Sequence, residues 1–223
     1  MKEPRSIDSD QKIKNNPLQC LDYFVEWGGK AWERLVQHAF DHFLGVNLEG
    51  QQVLDIGTRF GRMACLFALL GAKVIGFDLS KKCLSVARKE ATKFNVNERV
   101  VFVLASGNLS AFKDNTFDVV FSKSVLVVVP DLVSFLQEVR AKLKPGGKIM
   151  FLENARGAWW MHQLRAFRHG KWNYMKARYF TPCEIAVISE IFEVTTVKRC
   201  VFPPVVLILG HKSIREGSPI MEV

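Results

Sequence analysis

Asp55, Gly57 and Gly61 stand together in VLDIGTRFGR (residues 53–62), and Asp78 follows in VIGFDLS (residues 74–80). Glycines flanking a turn let its backbone come close to a ligand. A carboxylate about 20 residues further on is well placed to accept hydrogen bonds from both hydroxyls of a ribose. These residues alone fit a tight strand-to-helix connection as well as a nucleotide-type cofactor turn, and the strand–helix pattern and matching segments further along favour the cofactor. Arg59 stands where such turns usually carry a further glycine. A side chain of that length cannot lie beneath a cofactor, so it either points outward or folds over to grip a carboxylate with two donors.

The elements that must position these residues follow from the apolar runs. QQVLDIG reads as a strand and GRMACLFALLG as a helix closing on Gly71. AKVIGFD is the next strand, and Ser80 is an N-cap for a helix ending near Phe94. RVVFVLA and NTFDVVFS are two more strands. DLVSFLQEVRAKLK is an amphipathic helix stopped by Pro145-Gly146-Gly147, and KIMFLE is a fifth strand. Runs this apolar, separated by helices, belong to a parallel sheet covered on both faces. TPCEIAVISEIF then reads as a helix. FEVTTVKRCVF and PVVLILGHK lack a helix between them and form an antiparallel hairpin at the sheet edge. The fold class expected is α/β: a Rossmann-like three-layer αβα sandwich with a mostly parallel seven-stranded sheet and an antiparallel C-terminal hairpin. Residues 1–16 read as a flexible lead and 17–223 as one domain, with 17–48 a helical cap and 154–180 an insertion.

Bulk composition narrows the classes. With 223 residues, 48% hydrophobic and 24% charged, the chain is an ordinary globular one. Its five cysteines are scattered without a CxxC pair or a Cys/His metal spacing, which reads as a cytoplasmic protein with free thiols and no metal site. The polar N-terminus lacks an apolar signal core, and no run reaches the roughly 18 apolar residues of a membrane-spanning helix. The formal charge of +9 favours an acidic partner or serves solubility, so the location of the charge decides.

On these segments, together with AFKDNTFDVVFSKSVLVVVPDL and LKPGGKIMFLE, the sequence resembles the class I S-adenosylmethionine-dependent methyltransferases, in their small ubiquinone-biosynthesis-like branch. The resemblance covers residues 50–153 well and 180–211 loosely. It implies S-adenosyl-L-methionine as cofactor and S-adenosyl-L-homocysteine as product. It places Asp55 and Gly57, with Thr58, Arg59 and Gly61 of the same turn, at the methionine half, Asp78 at the ribose and Leu79 against the adenine. Ser106-Gly107 stand where the family offers an acid and an amide to the adenine, and FSKS (residues 121–124), Ser122 and Lys123 among them, would end the fourth strand facing the reacting methyl. Three departures stand out: Arg59 for a glycine, Ser106 for an acid, and Val127-Val128 where relatives often carry histidines.

The insertion NARGAWWMHQLRAFRHGKWNYMKARYF holds six Lys/Arg and no Asp or Glu. It reads as an aromatic-walled lid over a small acceptor, with Lys123, Trp159, Arg165 and Tyr174 contacting it. A membrane-facing amphipathic helix taking up a lipid-like acceptor is a second reading, a nucleic-acid platform a third, and a packed cap with solvated charges the plain alternative. Nucleic acid is the least favoured, because FSKS lacks the Asn/Asp-Pro-Pro-aromatic signature of nucleic-acid amino methyltransferases. Methyl transfer is a direct displacement and needs a base only if the acceptor must lose a proton. Glu153, His162 and His169 are the candidates. The leading expectation is methylation of a small anionic, aromatic or lipid-like acceptor. The alternatives are a cofactor-binding fold relative with a divergent reaction and a basic binding module, and the oligomeric state is left open.

Overall fold

The computed structural model describes residues 7–25, 29–105, 109–157 and 179–214. Gln52–Ile56, Lys73–Asp78, Val100–Leu104, Phe117–Lys123, Leu143–Asn154, Glu193–Cys200 and Val205–His211 form strands β1 to β7. They make one sheet in the order β3-β2-β1-β4-β5-β7-β6. Every pairing among β1 to β5 is parallel, whereas β7 runs antiparallel to both β5 and β6. The chain therefore winds from β1 outward to β3, then crosses back to β4 on the other side. Between β1 and β4 the direction of winding reverses, and at such a point the loops leaving the strands part to form a crevice.

Helices Ile7–Asn15, Leu21–Phe24, Lys30–Ala39, Arg62–Leu69, Lys81–Phe94, Leu132–Lys142 and Pro182–Ile191, here α1 to α7, cover the sheet. Strand alternation divides the core in two. Val53, Phe121, Met150 and Leu152 face Phe24, Phe40, Phe67 and Phe94 on one side. Leu54, Ile56, Val120 and Phe151 face Leu136 and Val139 of α6 and Ile188 of α7 on the other. Side chains satisfy the first amides of the helices at three of these starts. Ser80 Oγ accepts from Cys83 N at 3.2 Å, and Asp131 Oδ1 from Ser134 N at 3.1 Å. Thr181 and Glu184 close a capping box ahead of Pro182.

Two segments differ from their expected form. Ile7–Asn15, placed in the flexible lead, is helical, with Ile13 buried and Asp10 paired to Lys93 of α5 at 2.9 Å. The burial of Ile13 and this ion pair are among the contacts of a segment whose polar composition shows no apolar stripe. The fifth strand begins at Leu143 rather than after the glycines. Pro145-Gly146-Gly147 bulge out of it, Phe117 pairing with Leu143 and Val119 with Lys148. Gly146 N donates to Lys212 O at 2.9 Å and Lys212 N to Gly147 O at 2.8 Å, which ties the bulge to the end of β7.

The insertion leaves the end of β5 and returns to it: Arg156 N donates to Phe180 O at 2.9 Å and Phe180 N to Asn154 O at 3.0 Å. Its interior, with Trp159, His162, Arg165, His169 and Tyr174, lies outside the described residues, as do Ser106 and Gly107. Among the described residues no helix is long and apolar enough to cross a membrane, and no group of three or more His, Cys, Asp or Glu could hold a metal ion.

Candidate active site

Three residues of the turn after β1 have left-handed backbones: Gly57 at φ +68°, Arg59 at φ +51° and Gly61 at φ +72°. The glycines are required twice over, by conformation and by space. A Cβ on Gly57 would sit 2.3 Å from Val125 Cγ2, and one on Gly61 would sit 2.7 Å from both Ala87 Cβ and Phe102 Cζ. The turn is thus pressed onto the turn after β4 on one side and onto α5 and β3 on the other. Thr58 N donates to Phe77 O at 2.9 Å, stitching it across the end of β2.

Asp78 ends β2 and locks two loops with one carboxylate. Its Oδ2 accepts from Arg59 N at 2.9 Å and its Oδ1 from Ser80 N at 2.8 Å. Each carboxylate oxygen has a second acceptor site, so both can still receive a ligand hydroxyl. Asp55 is buried at the end of β1, its Oδ2 accepting from Thr58 Oγ1 at 2.6 Å. Burial pushes its carboxyl up to about 7, and neighbouring Asp78 adds to the rise against the pull of the Thr58 hydroxyl and the Lys123 ammonium.

A cavity of about 710 Å³ opens at the carboxyl ends of β1, β2 and β4, within the ~300–1,000 Å³ range of small-molecule sites. Asp55, Gly57, Thr58, Arg59, Asp78 and Leu79 line it, so the structure brings together most of the cofactor residues expected from the sequence. Gly61, of the same turn, is packed against Ala87 and Phe102 and does not line the cavity. Leu79 is 72% exposed, an apolar side chain standing at the mouth. The cradle offers a carboxylate for paired hydroxyls beside an apolar contact surface, and it fits a nucleoside.

Arg59 is exposed, its guanidinium 4.7 Å from the centre of the Phe60 ring, while its backbone N–H serves Asp78. Lys123 lines the cavity, but its ammonium donates to Val25 O and lies 5.2 Å from the Trp32 ring. Arg62 makes the matching contact from α4: it donates to Tyr23 O at 3.1 Å and its guanidinium stacks 4.5 Å from the Tyr23 ring. Two cations on the cavity wall thus dock the segment around α2 over the site. Phe121 and Ser124, the ends of FSKS, line the cavity as that segment was expected to, whereas Arg62, Phe24 and Met63 line it without having been expected there. The position of Arg62 directly after Gly61, at the first turn of the helix that follows the loop, is the signal that could have found it.

Two expectations are corrected. Ser122 does not line the cavity. It is fully buried and donates to Glu153 Oε1 at 3.1 Å. Glu153 does not line it either. Its Oε1 also accepts from Val125 N and Leu126 N, each at 3.2 Å, and burial pushes its carboxyl up to about 7 against those amides and the serine. Both residues sit on the sheet face opposite Phe121 and Lys123, as strand alternation dictates. Glu153 therefore cannot reach an acceptor in the cavity as a base. Of the valines standing in place of histidines, Val127 is buried and Val128 lines the cavity.

Residues 54–151 match the family described as "Methyltransferase domain". Over 102 residues the chain is 37% identical to the ubiquinone biosynthesis O-methyltransferase of Albidiferax ferrireducens, a match spanning 46% of this chain and 40% of that relative. Among solved structures, an S-adenosylmethionine dependent methyltransferase from Mesorhizobium loti superposes with a TM-score of 0.64 at 17% identity, covering 79% of this chain and 97% of that one. The [4+2]-cyclase SpnF superposes with a TM-score of 0.66 at 15% identity, covering 96% and 99%. The fold is thus that of solved S-adenosylmethionine-dependent methyltransferases, and the central segment, residues 54–151, matches the methyltransferase-domain family. The chain matches less than half the length of that ubiquinone-biosynthesis relative.

Proposed function

We propose that the chain binds S-adenosyl-L-methionine in this cavity and transfers its methyl group to a small, largely apolar or aromatic acceptor, releasing S-adenosyl-L-homocysteine. One observation carries the reading: the carboxylate of Asp78, held between the amides of Arg59 and Ser80, opens onto a cavity at the point where the sheet reverses its winding. Asp78 takes the ribose hydroxyls, Leu79 the adenine, and Asp55, Gly57 and Thr58 the methionine half. When bound, the cofactor supplies a sulfonium methyl that a nucleophile displaces directly. The protein's part is alignment and exclusion of water. Phe24, Met63 and Phe121 give the cavity an apolar wall for the acceptor, and Arg62 and Lys123 hold the segment around α2 over it. Should the acceptor have to lose a proton, His162 and His169 of the insertion are the proposed bases, since the described cavity lining holds no histidine. The name of the Albidiferax relative supports a hydroxylated aromatic of the quinone-precursor kind as the first acceptor to test.

The experiment is calorimetric titration of the full chain with S-adenosyl-L-homocysteine, followed by mass-spectrometric detection of methylated product from hydroxylated aromatic, amine and thiol acceptors. Absence of binding at high protein concentration overturns the reading. A second reading is a chain that binds the cofactor but performs another reaction. The likeness to a [4+2]-cyclase keeps it in view, because a shared fold does not specify the chemistry. Tight cofactor binding with no transfer to any acceptor class would favour it.

A further inference from the structure

We infer that Glu153 is a positioning residue for this site: from outside the cavity its carboxylate fixes the turn after β4 and, through that turn, the glycine loop after β1. The inference rests on the cofactor reading above. The turn begins at Ser124, which has a left-handed backbone at φ +58° although it is not a glycine. It continues through the single 3-10 turn Leu126–Val128. So short an element leaves its first amides without partners inside the helix. Glu153 supplies the partner: Oε1 gathers Val125 N and Leu126 N at 3.2 Å, together with the Ser122 hydroxyl at 3.1 Å. The neighbouring Asn154 Nδ2 donates to Ser124 Oγ at 3.0 Å, and Ser124 N donates to Leu152 O at 3.0 Å. The end of β5 thus holds a turn whose backbone would not favour this shape alone.

The held turn matters because of what it touches. Ser124, Val125 and Val128 line the cavity, and Val125 Cγ2 occupies the space a Cβ on Gly57 would need. A shift of the Val125 amide therefore moves the side chain against which the cofactor loop rests. Glu153 Oε2 is buried without a hydrogen-bond partner, so the carboxyl stays inside the fold on the strength of Oε1 alone. A glutamate at such cost does nothing that an apolar residue of the same size would not do better, except hold these amides.

The test uses the full chain and the variants Glu153→Ala and Glu153→Gln, with S-adenosyl-L-homocysteine affinity from calorimetry and amide hydrogen exchange read residue by residue. Glu153→Ala is expected to weaken binding by about tenfold or more, as losing the acceptor for one buried and one half-buried amide implies. Protection should fall at Val125 and Leu126 while the strand amides of β1 and β4 stay protected. Glu153→Gln keeps an acceptor oxygen and is expected to bind within about threefold of the parent chain. If Glu153→Ala does not fold, Glu153→Asp, which withdraws the carboxylate by one methylene, is read in the same two ways. Unchanged affinity in a folded variant lacking the reach overturns the inference. So does lost affinity with exchange at Val125 and Leu126 unaltered, because the residue would then act as plain core. Failure of the unmodified chain to bind overturns the cofactor reading as well, whereas binding by the parent and by Glu153→Ala alike overturns this inference only.

Discussion

Replacing Arg59 by glycine separates two roles of one residue. Its backbone N–H serves Asp78 at 2.9 Å, and glycine keeps that donor. Its φ of +51° is left-handed, a conformation that costs a side-chain-bearing residue about 1–2 kcal/mol and glycine little. Against that relief stand the extra freedom glycine gives the unfolded chain, about 0.4–1 kcal/mol, and the loss of the guanidinium's contact with Phe60 at 4.7 Å, about 0.5–1 kcal/mol at an exposed site. The effects nearly cancel, so stability should change by less than about 1 kcal/mol, a melting shift within roughly 4 °C for a chain of this size. Arg59→Ala lacks the relief but loses the ring contact, and should be the less stable of the two. Cofactor affinity should stay within about threefold in Arg59→Gly, since no contribution to it is assigned to the guanidinium. Thermal unfolding and calorimetry with S-adenosyl-L-homocysteine measure both. A loss of tenfold, equal to about 1.4 kcal/mol, with an unchanged melting temperature would refute the reasoning and show that the guanidinium clamps the cofactor's carboxylate.

Asp78→Ala removes the ribose acceptor and unpins both loops, so S-adenosyl-L-homocysteine affinity should fall by about a hundredfold, two charge-assisted hydrogen bonds' worth, as read by calorimetry. Gly57→Ala must place its Cβ 2.3 Å from Val125 Cγ2 in a left-handed backbone, which should cost on the order of 2–4 kcal/mol and lower the melting temperature by roughly 5–15 °C. The carboxyls of Asp55 and Glu153 are pushed up to about 7 in the folded chain, whereas in the unfolded chain they titrate near ~4. The folded state therefore holds more protons between these values, and their contribution to stability is full below about pH 4, falls as pH rises to about 7, and is flat above. Urea midpoints at pH 5 and pH 8 should show a smaller loss with rising pH in Glu153→Gln than in the parent, and equal slopes would exclude Glu153 as a source.

Where the sequence carried strong periodicity, it located the elements closely. Ser80 caps α5, which ends at Phe94, and the hairpin of β6 and β7 lies beyond β5 with β6 at the edge. Each of these rests on local chemistry: a hydroxyl before a helical pattern, or two apolar runs too close together for a crossover helix. The departures have equally specific causes. Pro145-Gly146-Gly147 signal a break, yet the strand continues around them because Lys212 accepts and donates across the bulge. Ile13 is one of only two apolar residues in α1, IDSDQKIKN, so the burial of the helix depends on a surface that the local sequence does not contain. Arg62 escaped notice because a cation at a helix start looks solvated until the backbone of Tyr23 arrives from a distant segment.

The two misplaced site residues, Ser122 and Glu153, share one cause, and it was present in the sequence. Placing a residue at the carboxyl end of a strand fixes its height above the sheet but not its face. Along FDVVFSK, Phe121 and Lys123 alternate with Val120 and Ser122, and the cavity takes the first pair. Along KIMFLEN, Glu153 falls in step with Ile149 and Phe151, which pack against α6 and α7, not with Met150 and Leu152 on the cavity side. Parity alone would have sent Ser122 and Glu153 to the same face, and there they meet at 3.1 Å. A carboxylate on the ligand-bearing end but the wrong face has no acceptor to deprotonate. What it can reach is the backbone of the loop that climbs over the sheet from one face to the other, and that loop is where Val125 presses on Gly57.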